Sequence, residues 1–289
     1  MRKCFVTTRT HWLTRHFSSL HLKYSKYIYI FIHLCCLGET FLCVFSFIKN
    51  ILNTRSRVKL KANLESHGVS MKIAVLGATG QTGQIVVRQA LQQGHAVTAV
   101  VRNLDKLTVR HDNLKVVEAD IFSADSLKSH FEGSDVVVSC LGFSTSFFSN
   151  VTGYTESMSA VITAMREARV NSIITMTSWY TDPNSGTQSP YLIRFLLLPL
   201  IRSVLSNMWE MEQYLRQVDD VNWTVVRPPG LKNLPSSALE ILTHEGYFVP
   251  DKSGRPVGSA MGRGDVARFM LSLLTSNAWV KKGVAIITK

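Results

Sequence analysis

Gly77-Ala78-Thr79-Gly80-Gln81-Thr82-Gly83 stands directly after an apolar run, residues 72–76, and directly before a stretch with helical periodicity. A strand that runs into three glycines and then at once into a helix has few uses. The first glycine permits a tight turn, the second lets backbone approach a pyrophosphate, and the third allows helix and strand to pack closely. The helix start adds unpaired N–H groups and the positive end of its dipole, both suited to phosphate oxygens. The spacing is G-x-x-G-x-x-G rather than the commoner G-x-G-x-x-G, so the context between strand and helix carries the expectation of a bound dinucleotide. A turn with a structural role alone is the alternative.

Beyond this turn, short β-branched runs alternate with longer amphipathic stretches, the pattern of βαβ units around a parallel sheet. Strands are expected at 72–76, 96–101, 114–118, 136–140, 172–176, 224–227 and 284–288, and helices at 81–93, 123–131, 154–167, 207–217 and 265–275. Ser123 can cap the second helix, Gly94 ends the first, and Asp265 puts a negative charge at the start of the last. The fold class is α/β, a doubly wound parallel sheet (Rossmann fold), with a single domain over 71–289 and an extension over 1–70. The apolar segment 191–205 contains Arg194, Pro199 and Arg202 and is too short for a membrane span. It reads as a helical cover packed beside the sheet, with a pocket lid or a membrane-surface contact as alternatives.

The net charge of +12 suggests nucleic acid until it is divided. Of 32 Lys/Arg and 20 acidic residues, the first 70 positions hold 11 and 2, which leaves 21 and 18 for the domain. That balance gives the domain no phosphate-backbone footprint, so nucleic acid is not an expected partner. Four of the five cysteines (Cys4, Cys35, Cys36, Cys43) lie in the extension, and no metal-ligand spacing is visible. Cys140 ends an apolar run and reads as a buried small residue. The domain reads as cytoplasmic, with a monomer favoured. Within the extension, residues 27–48 are long enough for an anchor but imperfectly apolar, interrupted by His33, Gly38, Glu39 and Thr40, and the acid-free basic start also suits a mitochondrial presequence. The third reading makes Met71 the functional start.

A carboxylate after the second strand would hold the ribose of NAD, but this chain has Arg102-Asn103 there. Arginine favours a 2′-phosphate, with Lys106 as a second cation, so NADPH is the expected cofactor. Asp120 and Ile121 end the third strand, suited to adenine contact or to a turn. Leu141-Gly142 ends the fourth, where a small residue lets the chain pass close to a cofactor. At the end of the fifth strand Ser178 is the best polar candidate for catalysis, and Trp179 or Tyr180 could stack on a flat, conjugated acceptor. A tyrosine paired with a lysine four residues on is absent: Tyr154, Tyr180, Tyr191, Tyr214 and Tyr247 are followed there by Met158, Asn184, Phe195, Val218 and Asp251.

The stretches MKIAVLGATGQTGQ, AVTAVVRN, the Thr177-Ser178 pair, WTVVRPPGL and GDVARFML together resemble the atypical short-chain dehydrogenase/reductase superfamily. Within it they look like the NADPH-dependent flavin reductase, or biliverdin-IXβ reductase, family. The resemblance covers most of 71–289. It implies cofactor contacts from Gly77, Thr79, Gly80, Gln81, Thr82, Gly83, Arg102, Lys106, Asp120, Ile121, Leu141 and Gly142, and from the turn Pro229, Gly230, Leu231. It makes Ser178 the active-site serine, and hydride transfer to a flavin or linear tetrapyrrole the activity. Gly230 and Met208 stand where that family has histidines. The competing expectation is a non-catalytic NADP(H)-binding redox sensor of the NmrA-like type.

Overall fold

The computed structural model describes residues 69–144 and 150–289; the extension and its proposed anchor at 27–48 lie outside the described residues. Strands β1 (Lys72–Leu76), β2 (Ala96–Val101), β3 (Leu114–Glu118) and β5 (Ser172–Met176) fall at the expected positions. β4 (Val136–Ser139) stops one residue early, and β6 (Asn222–Arg227) and β10 (Lys282–Thr288) each start two residues early. Each of these strands opens on an exposed polar residue, Asn222 or Lys282, that pairs through its backbone, as in Asn222 N to Asn171 O at 2.7 Å, followed by a buried Trp223 or Gly283.

The sheet order is β3-β2-β1-β4-β5-β6-β10-β8, parallel except for β8 (Ile241–His244), which runs antiparallel to β10. Two further strands, β7 (Gly230–Lys232) and β9 (Ala260–Gly262), form a separate parallel pair. The sequence pattern missed β7, β8 and β9 because runs of three or four residues of mixed polarity show no period.

The helices are α1 (Gln81–Gln92), α2 (Ala124–Phe131), α3 (Gly153–Glu167), α4 (Arg202–Arg216) and α5 (Arg263–Ser272). Strand alternation sends Ile73 and Val75 of β1 to one face, against Val86, Val87 and Ala90 of α1 and Val266 and Met270 of α5. Ala74 and Leu76 go to the other, where Leu127 and Phe131 of α2, Val161 and Ile162 of α3 and Met211 and Leu215 of α4 meet them. Burying each large apolar side chain is worth about 1.5–3 kcal/mol, which holds both helix layers on the sheet. Ser123 caps α2 as expected, accepting from Ser126 N at 3.3 Å.

The segment before α4 departs from expectation. A π-helical turn, Ile193–Leu197, runs into a helical turn at Leu198–Leu200 before α4 begins. Tyr191, Leu192, Phe195, Leu196, Leu197 and Leu200 face solvent instead of the sheet. The reason is that α3 and the buried face of α4 already cover that side, so only Leu198, Ile201, Val204 and Leu205 reach the core.

Candidate active site

The register of the parallel strands brings the singled-out residues to one edge. Leu76 pairs with Val100 and with Ser139, Ser139 with Thr175, and Met176 with Val226. The residues that follow each strand, Gly77, Arg102, Leu141-Gly142, Ser178 and Pro229, therefore emerge side by side at the carboxyl ends. β1 and β4 flank the point where strand order reverses, the place where open α/β sheets hold ligands.

Gly77 sits at φ +71°, and a Cβ there would lie 2.6 Å from the carbonyl oxygen of Cys140. At Gly83 a Cβ would fall 2.1 Å from the carbonyl oxygen of Gly77. Both glycines let backbone segments meet where any side chain would separate them. Gly80 caps α1 without a side-chain hydrogen bond, and no acid occupies the first turn, so no side chain competes for the first N–H groups. Gln84 Nε2 donates to Thr79 O at 3.0 Å and braces the turn from behind. Gln81 is exposed, Thr79 half-buried and Thr82 buried. This is a cradle of the kind a diphosphate fits.

Arg102 and Lys106 are both exposed beyond β2, and Asn103 caps the short turn between them by accepting from Asp105 N at 2.9 Å. Asp120 accepts from Phe122 N at 3.0 Å, so its carboxylate serves the turn, while Ile121 packs into the core beneath. Gly142 is exposed, with nothing within 4 Å of where its Cβ would be. Pro229 is buried, Gly230 exposed and Leu231 half-buried.

Ser178 is half-buried, and its hydroxyl makes no hydrogen bond to the described residues. Its neighbours diverge because Tyr180 adopts φ +62°, which turns the chain sharply. Trp179 N donates to Pro228 O and Tyr180 N to Tyr247 O, at 2.9 and 3.0 Å. Trp179 is thereby driven into a small core with Val249, Ala285 and Ile287, 2% exposed. That corrects the expectation that its ring could stack on an acceptor. Tyr180 stays partly open, and burial pushes its hydroxyl up to about 12, so it is a poor proton donor near neutrality. Tyr180 lines a cavity of about 340 Å³ with Thr181, Asp182, Arg194, Leu198 and Arg202. The cavity adjoins the Ser178 end of the site and does not reach the glycine turn. Burial likewise raises the Cys140 thiol to about 12, which leaves it unreactive.

A buried ion pair behind Ser178 escaped the sequence reading. Arg227 and Glu212 are 2% and 1% exposed, and Arg227 Nη2 donates to Glu212 Oε2 at 2.6 Å. Thr177 and Thr181 hydroxyls donate to Glu212 Oε1 at 2.8 and 3.1 Å, one on each side of Ser178. Arg227 Nη1 reaches the carbonyls of Glu245 and Gly246, and its guanidinium lies 4.2 Å from the Tyr247 ring centre. The available signal was an acid on the apolar face of α4, between Met211 and Leu215, and an arginine ending a buried strand.

Residues 77–277 match the family described as NAD(P)H-binding. The chain belongs to that NAD(P)H-binding family. An uncharacterised chloroplastic protein of Arabidopsis thaliana is 28% identical over 194 residues, which is 64% of this chain and 68% of the relative. Among solved structures, a protein of Streptococcus pneumoniae provisionally named an NADH-flavin reductase is 22% identical, with TM-score 0.58 over 76% of this chain and 100% of that one. A short-chain dehydrogenase/reductase of Veillonella parvula in complex with NADP is 15% identical, with TM-score 0.60 over 75% of this chain and 94% of that one. At these identities the two structures establish the shared Rossmann fold. Membership of the NAD(P)H-binding family fits the uncapped start of α1 and the glycine cradle beside it. Among the described residues no group of three or more His, Cys, Asp or Glu could hold a metal.

Proposed function

We propose that this chain is an NADPH-dependent reductase of a planar conjugated acceptor, a flavin or a linear tetrapyrrole such as biliverdin. The observation that carries the reading is the hydroxyl of Ser178, unpartnered among the described residues, two strands from the glycine turn and beside the cavity at Tyr180. Adjacent strands are about 4.8 Å apart, so the two points are separated by roughly 10 Å. A dinucleotide with its diphosphate on α1 spans that interval. In this reading Gly77, Thr79, Gly80, Gln81, Thr82 and Gly83 hold the diphosphate, Arg102 and Lys106 the 2′-phosphate, Asp120 and Ile121 the adenine end, and Leu141, Gly142, Pro229, Gly230 and Leu231 the nicotinamide end. The bound nicotinamide supplies hydride. Ser178 orients the acceptor by a hydrogen bond, and Tyr180 lends one face of its ring. With no tyrosine and lysine pair and a Tyr180 hydroxyl held near 12, the balancing proton comes from solvent. The provisional name of the Streptococcus pneumoniae neighbour agrees with a flavin acceptor.

The test is NADPH consumption by the full-length chain with FMN, FAD, riboflavin or biliverdin, for the parent and Ser178→Ala. Turnover that falls in Ser178→Ala while NADPH affinity stays unchanged is the expected result. Binding of NADPH by calorimetry with no consumption above blank for any acceptor would overturn the enzyme reading and favour a sensor of the NADP(H) ratio.

A further inference from the structure

Six of the eleven exposed large apolar side chains among the described residues gather in one segment. Tyr191, Leu192, Phe195, Leu196, Leu197 and Leu200 are between 47% and 81% exposed. A contiguous apolar surface of this kind is unusual on a monomer and marks a contact with another phase or another molecule. Its chemistry narrows the choice. From Pro183 to Trp209 the sequence has no acidic residue and two cations, Arg194 and Arg202. Arg194 lies 5.2 Å over the Phe195 ring, and that ring stacks on Tyr191 at 6.0 Å, so cation and aromatics form one rim. Arg202 is exposed and makes no ion pair with the described residues. The backbone is also closed on itself: Arg194 N donates to Pro190 O at 2.9 Å and Ile201 N to Leu197 O at 3.2 Å. A surface with apolar side chains, satisfied backbone and flanking arginines suits the boundary between lipid headgroups and acyl chains. Ten residues are too few to cross a bilayer, so the segment would lie on the surface.

We propose that residues 191–200 dock this protein onto an anionic bilayer surface, with the apolar side chains entering the interface and Arg194 and Arg202 meeting lipid phosphates. The inference stands apart from the catalytic reading, because it concerns where the protein sits and not what it reduces. It is independent of the anchor reading of residues 27–48, and the segment lies on the wall of the Tyr180 cavity, which Arg194, Leu198 and Arg202 line.

The experiment places a reporter in the patch, as Leu196→Trp in the full-length chain. Tryptophan emission is followed with vesicles of brominated phosphatidylcholine, alone or mixed with phosphatidylglycerol, and the parent's own tryptophans are subtracted. The signal is local to position 196, so attachment through residues 27–48 does not produce it. A blue shift and bromine quenching beyond the parent's with the anionic vesicles are expected. Arg202→Gln in the same chain should weaken partitioning about five-fold. Three results would overturn the proposal: no added quenching with either vesicle, equal quenching by the neutral one, or emission already blue-shifted before lipid, as when a second copy covers the patch. Hydrogen exchange on the unaltered chain gives a second measurement. Added anionic vesicles should slow exchange in peptides covering 191–200, and unchanged exchange there would likewise overturn it.

Discussion

Gly283 of β10 lies directly against the guanidinium of Arg227 on β6: a Cβ at Gly283 would come within 2.2 Å of it. The neighbouring strand has given up a side chain so that a buried cation can lie flat between Glu212 and the Tyr247 ring. Gly283→Ala should push the guanidinium off the carboxylate, and Glu212→Gln should leave it buried without a counter-charge. Breaking one side of a buried pair costs about 3–5 kcal/mol. Urea unfolding of each variant measures this, and a loss below about 1 kcal/mol for Glu212→Gln would mean the pair contributes nothing beyond an ordinary hydrogen bond.

The glycine cradle separates fold from binding. Gly83→Ala would set a Cβ 2.1 Å from the Gly77 carbonyl, backbone against backbone, so both stability and nucleotide binding should fall. Gly142→Ala meets nothing within 4 Å, and the nucleotide-free melting temperature should be unchanged. If the cofactor crosses Gly142, its affinity alone should drop. Thermal melts with and without NADPH check both variants, and unaltered NADPH stabilisation in Gly142→Ala would remove that residue from the site.

Arg102 sets the expected choice between cofactors. Losing a charge-assisted contact to a 2′-phosphate costs about 1.5–3 kcal/mol, or roughly ten- to a hundred-fold in affinity. Arg102→Gln should weaken NADPH by that factor and leave NADH unchanged in calorimetry. Equal weakening of both would show that the guanidinium meets a feature they share.

Alkaline pH should destabilise the domain through Cys140. Its thiol is held near 12 by burial, whereas an ordinary thiol ionises near 9.0. Between those values the unfolded chain has released a proton that the folded chain retains. Stability from this group is complete below pH 9 and declines by up to about 1.4 kcal/mol per pH unit on the way to 12. Denaturation midpoints measured across that window should fall less steeply in Cys140→Ala than in the parent, and parallel curves would contradict the assignment.

What could be read in advance follows from how many residues share a signal. The run at 72–76, the turn at Gly77 and the helix at Gln81 reinforce one another, so strand, turn and helix are legible together. β2 and β5 likewise fall where their β-branched runs predict, which puts Arg102 and Ser178 just beyond their carboxyl ends. The burial of Trp179 has no local signal, because the residues that enclose it, Val249, Ala285 and Ile287, lie far along the chain. The composition of 191–205 favours a helical cover beside the sheet over a lid or a membrane-surface contact, yet whether an apolar stretch is buried depends on room left by α3 and α4. Glu212 and Arg227 stand 15 positions apart and looked like unrelated charges, and only the packing of α4 on β6 makes them partners.

The stretch from Asp182 to Leu200 is tied to itself: Asn184, Ser185, Thr187, Ser189 and Arg194 all bond to residues within it. The nucleotide side, by contrast, is woven from strand ends that the whole sheet fixes. The stretch between Thr181 and α4 can therefore change its sequence without disturbing the strand ends, as surface connections on a fixed scaffold commonly do.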